Sequence, residues 1–342
     1  MIKPQSSFRR PALGAAGLAL AAALTLSIWF ASTASASSSS LKPEVTTLQY
    51  EAFPTVLNVP ELAEELGYLG PLELHNVGGT QNGPQEIEAL ESGDLDFAGS
   101  FNGGIISAVK AGAKITAVVA YLGDKGIAAG GIYVPKSSSI TAASDLVGKP
   151  VAYYTGTLAA STVETYLLKN GLKPSQVTPV SLTGLGEIQA LKSGQVAAAY
   201  LVGTAIEQAK SQGAFRALAT EDQLYGQIGT CSYVFSDDFI KKNPNTVRLF
   251  VTGVAKALVW VQHHTRQQVI AEYTKFLNSQ GRTSDAAAFK YWEADGVPTN
   301  GGEIRPQDFS VFSNWLQDTG LVKKGDVNLS AIYTNEFNPY AQ

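Results

Sequence analysis

The chain has 342 residues, 45% of them hydrophobic and 16% charged, with a formal net charge of −4. This length and apolar content exclude a disordered chain and a single small core, and two lobes are expected. A mildly acidic balance without a basic cluster argues against nucleic acid or anionic lipid as partner.

The first 36 residues read as a secretory leader. Lys3, Arg9 and Arg10 form its positive end, Ala12 to Phe30 is apolar, and Ala34-Ser35-Ala36 offers the small residues of a cleavage site. Loss of the leader takes the net charge from −4 to −7, because it carries three basic residues and no acidic one. The arginine pair leaves general and twin-arginine export both open. No cysteine lies near the cleavage point, so a lipid-anchored form is not expected, and the mature chain is placed free in the periplasm or outside the cell. Residues 37–44, opening with four serines, make a solvated linker.

Strands and helices then alternate, the pattern of α/β architecture with helices on the faces of mostly parallel sheets. Residues 45–136 are expected to form the first part of lobe 1. Strands are predicted at Val45–Tyr50, Leu72–Val77, Leu95–Gly99, Ile115–Tyr121 and from Gly131 to Lys136. Helices fall at Val56–Leu66, Gln85–Ser92 and Gly104–Ala111. Residues 137–231 repeat the scheme as lobe 2. Strands are predicted at Val151–Tyr154, Val177–Leu182, Val196–Val202 and Phe215–Ala219, with helices at Ser161–Asn170, Glu187–Ser193 and Thr204–Gln212. Ser193-Gly194 before the strand from Val196 repeats the helix, Ser-Gly, strand device of Ser92-Gly93, where glycine supplies a left-handed helix stop. Residues 232–342 return to lobe 1 and add C-terminal helices, ending in an extended surface tail from Tyr333. The crossovers are expected near Pro135–Ser139 and Thr230–Tyr233.

Ligands of open α/β sheets sit beyond the carboxyl ends of the strands. Those ends carry Phe53, Pro54, Thr80, Phe101, Asn102, Gly103 and Tyr121 in lobe 1, and Thr155, Gly156, Thr157, Ser161, Glu187, Gly203 and Thr204 in lobe 2. The turn Tyr154-Thr-Gly-Thr-Leu-Ala-Ala-Ser joins a strand to a helix start, so free N–H groups and the helix dipole favour an anion there. Phe53, Phe101, Tyr121, Tyr153, Tyr154, Tyr200 and Tyr233 crowd the same ends and suit a ligand with an organic body. None of Arg216, Arg248, Arg266, Arg282 and Arg305 falls at a strand's carboxyl end, so a bidentate clamp has no candidate. Glu187 is either an acid favoured by its helix dipole or a contact for an amine. Lys125 is either a loop charge or an anion contact.

Chemistry-bearing motifs are sparse. The single cysteine, Cys231, cannot form an internal disulfide and reads as a small buried residue. His263 and His264 are adjacent on a helix and point about 100° apart, a poor metal pair. No Gly-x-Ser-x-Gly elbow, phosphate loop, Cys-x-x-Cys pair or His-Glu-x-x-His helix is present. Neither catalysis, a cofactor nor a metal is expected.

Several segments together resemble one family. They are Tyr50-Glu-Ala-Phe-Pro-Thr-Val-Leu, Ile87-Glu-Ala-Leu-Glu-Ser-Gly-Asp-Leu-Asp-Phe-Ala-Gly, Tyr133-Val-Pro-Lys, Asp145-Leu-Val-Gly-Lys-Pro-Val-Ala, Gly171-Leu-Lys-Pro-Ser-Gln-Val and Asp237-Asp-Phe-Ile-Lys-Lys-Asn-Pro. Over residues 45–275 the chain resembles the substrate-binding proteins of nitrate, taurine and alkanesulfonate ABC importers. The resemblance implies a two-lobed periplasmic-binding-protein fold (type II), capture of a small organic anion such as a sulfonate, and delivery to a membrane permease by a monomer. An aromatic heterocycle, such as a thiamine pyrimidine precursor, is the alternative ligand. A related enzyme class on the same fold carries a cysteine-rich segment that this chain lacks.

Overall fold

A computed structural model describes residues 41–54, 56–79, 83–126, 130–182 and 185–342. The expected leader and the first half of the linker lie outside the described residues, as do Thr55, Thr80 and Gly184. From Leu41 onward the architecture is mixed α/β. The first sheet pairs β1 (Thr47–Ala52) in parallel with β2 (Glu73–Gly79). Along β1 every second residue is buried, so Leu48, Tyr50 and Ala52 face the core. Between them runs α1 (Val59–Glu65), shorter than the Val56–Leu66 expected because Pro60 fixes its first turn. α2 (Gly83–Ser92) and β3 (Ala98–Phe101) follow, then α3 (Asn102–Ala111) and β4 (Ile115–Gly123). The segment before β3 is stitched to β1 by Asp96, whose N–H donates to the Gln49 carbonyl while its carboxylate accepts the Gln49 N–H at 2.7 Å.

β5 (Gly131–Pro135) opens a second, five-stranded sheet. Its other members are β6 (Pro150–Ala152), β7 (Thr178–Val180), β8 (Ala198–Leu201) and β9 (Phe215–Thr220), in the order β7-β6-β8-β5-β9. Its helices are α4 (Leu158–Lys169), α5 (Leu185–Ser193), α6 (Thr204–Ser211) and α7 (Glu221–Tyr225). The chain returns with β10 (Gly229–Ser236), which lies between β3 and β4. Sheet membership thus shifts both crossovers: the chain leaves after Gly123 and is back by Gly229, earlier than the segments expected near Pro135 and Thr230. The sheets are also less parallel than expected. β5 runs antiparallel to β8 and β9, and β10 antiparallel to β3 and β4. These are the two strands that directly follow a crossing, so they are not part of the right-handed βαβ winding that makes neighbours parallel.

The remaining helices are α8 (Asp237–Lys242), α9 (Pro244–His263), α10 (Arg266–Ser279), α11 (Thr283–Phe289) and α12 (Gln307–Asp318). Pro244 separates α8 from α9 and fixes the first turn of α9. α9 buries Phe250, Val254 and Leu258, and Phe250 packs at 4.5 Å from Phe97, which also stacks on Tyr50 at 5.5 Å. Trp315 on α12 donates to Glu164 on α4 at 3.0 Å, tying the C-terminal part to the five-stranded side. The tail is no loose surface segment: Phe337 and Asn338 are buried, and Thr334 donates to the Ala117 carbonyl. No helix among the described residues is long and apolar enough to cross a membrane.

Candidate functional site

The strands of both sheet systems end on one cavity of about 160 Å³. Phe53, Phe101 and Tyr121 line it from the ends of β1, β3 and β4, and Tyr154 and Tyr200 from β6 and β8. Such rings carry large apolar area with a polar tip, and they suit a flat organic body. Tyr121 is stacked on Tyr233 at 4.1 Å, which fixes its ring from behind.

The start of α4 forms part of the wall. Thr157 is its N-cap in extended backbone, and its hydroxyl donates to the Tyr154 carbonyl at 2.7 Å. That bond holds the turn and commits the Thr157 proton. Leu158 and Ala159, the first two helical residues, line the cavity with Thr157. The leading N–H groups of a helix have no intrahelical acceptor, so an anion is favoured here. Among the described residues, no lysine or arginine lines the cavity.

Glu187, near the start of α5, also belongs to the wall. It is only 7% exposed, it lines the cavity, and no hydrogen bond or ion pair reaches it among the described residues. Burial alone pushes its carboxyl up to about 9, so the acid is protonated at neutral pH. Cys231 also lines the cavity, and burial pushes its thiol up. A thiol held protonated is a weak nucleophile.

Of the residues singled out from sequence, Phe53, Pro54, Phe101, Tyr121, Thr157 and Glu187 meet at the cavity. Others serve elsewhere. Asn102 is fully buried and acts as a clamp: its amide donates to the Gly229 and Asp308 carbonyls at 3.0 and 2.9 Å, and its carbonyl accepts from Ser232 at 2.8 Å. It joins the start of α3 to the return strand and to α12. Gly103 is a packing glycine, since a Cβ there would lie 2.5 Å from the Phe101 ring. Thr155 and Gly156 are exposed, and Gly156 supplies the left-handed turn with φ of 77°. Ser161 is buried inside α4, bonded to the Tyr225 hydroxyl at 2.8 Å, because the helix starts three residues earlier than expected. Gly203 caps α6 and Thr204 is buried behind the wall. Sequence reading missed Val56, Leu122, Leu158, Ala159, Leu182, Val202 and Ala205. Aliphatic residues at strand ends read as core, and no pattern separates the two uses. Tyr154 and Tyr200 were legible as aromatics at strand ends.

The family model described as NMT1/THI5 like matches residues 62–267, more than half of the chain. No curated protein sequence matches. Among solved structures, the alkanesulfonate-binding protein SsuA from Xanthomonas axonopodis pv. citri, bound to MOPS, is 20% identical with a TM-score of 0.66, covering 85% of this chain and 99% of that one. The periplasmic nitrate-binding protein NrtA from Synechocystis PCC 6803 is 12% identical with a TM-score of 0.68, covering 86% and 88%. The desulfurization enzyme DSZB is 18% identical with a TM-score of 0.60, covering 86% and 97%. At these identities the likeness establishes the two-lobed periplasmic-binding-protein fold, which carries receptors and an enzyme alike.

Proposed function

Since the chain belongs to the NMT1/THI5-like family, we propose that it is the extracytoplasmic solute-binding component of an ABC importer, taking a small organic anion, an alkane- or arylsulfonate, between its two sheet systems. The observation that carries this reading is the first turn of α4 opening into a ring-lined cavity with no lysine or arginine on its wall among the described residues. Backbone N–H groups hold the head, and Phe53, Phe101, Tyr121, Tyr154 and Tyr200 enclose the body. The sulfonate- and nitrate-binding neighbours support an anionic head. The cleft reads as a receptor's and not an enzyme's, because its thiol is held protonated and no histidine lines it among the described residues. The five-stranded sheet is the lobe that closes on the ligand, by a hinge at the two crossings. The closed monomer docks on a membrane permease, after export by the leader at residues 1–36.

A thermal-shift panel of alkane- and arylsulfonates, sulfate esters, carboxylates and pyrimidines tests the assignment. A ligand present at a hundred times its Kd adds about 2.7 kcal/mol of stability, and a sulfonate is expected to do so. Ala159→Asp puts a carboxylate on the N-terminal turn of α4, where the helix itself tolerates it, and should abolish that response. The second reading, an aromatic heterocycle, is favoured by the bare Glu187 carboxyl facing the tyrosine rings. Stabilisation by pyrimidines alone, unaffected by Ala159→Asp, would transfer the assignment to it.

A further inference from the structure

The octapeptide pattern Glu-Ile-x-Ala-Leu-x-Ser-Gly occurs twice, as Glu86–Gly93 and as Glu187–Gly194. Both copies form a helix that feeds a strand, α2 into β3 and α5 into β8, and both glutamates are buried. Their partners differ. Glu86 accepts the N–H of Gly99, thirteen residues on. The residue at that step from Glu187 is Tyr200, whose hydroxyl turns away to Glu221 at 2.9 Å. Glu221 is itself filled by Thr162 at 2.7 Å and the Gly130 N–H at 2.9 Å. The elements packed on α5 are β5, β8 and α6. They bring Tyr133, Tyr200 and the Glu207–Lys210 ion pair, and none of these bonds Glu187. The other titratable groups on the cavity wall are Tyr121, Tyr154 and Cys231.

Glu187 is thus a carboxyl more than nine-tenths buried, aimed into the cavity and left without a partner among the described residues. A polar group opening on a cavity is solvated in the empty cleft, and a ligand that displaces this solvent must replace its hydrogen bonds. We propose that Glu187 determines the specificity of the cleft by selecting ligands whose organic body carries an ammonium or other N–H-bearing group in addition to the anionic head. The proposal rests on the cleft being the ligand site, and it narrows the ligand class to zwitterionic or amino-substituted organic anions. The carboxyl meets an incoming ammonium by giving its proton to solvent, and the resulting carboxylate pairs with the cation. One proton therefore leaves for each ligand bound near neutral pH.

Three probes test this on the full chain: 4-methylbenzenesulfonate, 4-(aminomethyl)benzenesulfonate and 4-methylbenzylamine. At pH 7 the aminomethyl sulfonate should bind at least about tenfold tighter than the methyl sulfonate, the scale of one charge-assisted hydrogen bond. Glu187→Gln and Glu187→Leu should each bring the two affinities together. Calorimetry in buffers of different ionisation enthalpy should register about one proton released with the aminomethyl probe, and none with it on Glu187→Gln. Equal binding of both sulfonates by the unmodified chain overturns the selector and leaves the anion site standing. Glu187-dependent binding of 4-methylbenzylamine, with neither sulfonate bound, upholds the selector and removes the head-group site. Failure of all three probes at millimolar concentration overturns both.

Discussion

Glu86 and Glu187 occupy the same place in two copies of one local unit, yet one is a structural acid and the other is open to the cleft. Glu86 is 1% exposed and holds the Gly99 N–H, at a position where a Cβ would press on the Tyr121 hydroxyl at 2.9 Å. β3 is the edge of its sheet, and the Gly99 N–H there is taken by the acid. In the second copy the following strand is interior: β8 lies between β6 and β5, Tyr200 pairs with Ile132, and no hydrogen bond reaches Glu187 among the described residues. Local pattern therefore fixes a helix and a buried acid in both places. The place of the following strand, at the edge of its sheet for β3 and inside it for β8, separates the acid that braces the fold from the acid that opens on the cavity.

A third buried glutamate calibrates the comparison. Glu61 is fully buried and satisfied by the Tyr50 hydroxyl, the Tyr273 hydroxyl and Arg282, whose Nη1 lies 2.6 Å away. Removing its cation strands a buried charge, so Arg282→Ala should cost about 3–5 kcal/mol, read by chemical denaturation. A loss below about 1 kcal/mol would mean that the tyrosines alone suffice. Glu86→Leu removes the acceptor of one buried N–H and should cost about 1–3 kcal/mol. Were Glu86→Leu instead neutral, the contrast with Glu187 would disappear.

The last effect is the one that turns on pH. The Glu187 carboxyl is raised from 4.5 to about 9 by folding, so the folded state holds the proton over a range where the unfolded state has lost it. Stability therefore carries no penalty from this group below the ordinary carboxylate range, and declines as pH rises toward about 9. Relative to Glu187→Gln, which cannot ionise, the parent chain should lose at most about 1.4 kcal/mol per pH unit across that window. Denaturation midpoints of both proteins from pH 5 to 9 give the slope directly; parallel curves would show that the acid is not held neutral.

Much of the fold was legible because local rules dictated it. The alternation of strands and helices marked β1 to α6, and the Ser-Gly stops marked the ends of α2 and α5, so the α/β architecture followed from residue order alone. The strand ends likewise named six residues that line the cavity. Sequence could not separate Asn102 from Thr157, since each follows a strand and opens a helix. Only the return of β10 beside β3, and the packing of α12, turn Asn102 into a clamp by bringing Gly229, Ser232 and Asp308 to it. Nor could it tell the aliphatic lining from core, because burial against protein and burial against a cavity call for the same side chains. Local propensity and period act over a few residues and are written in order along the chain. Partners such as Gly99 for Glu86, or none for Glu187, depend on contacts between segments that only the assembled sheets bring together.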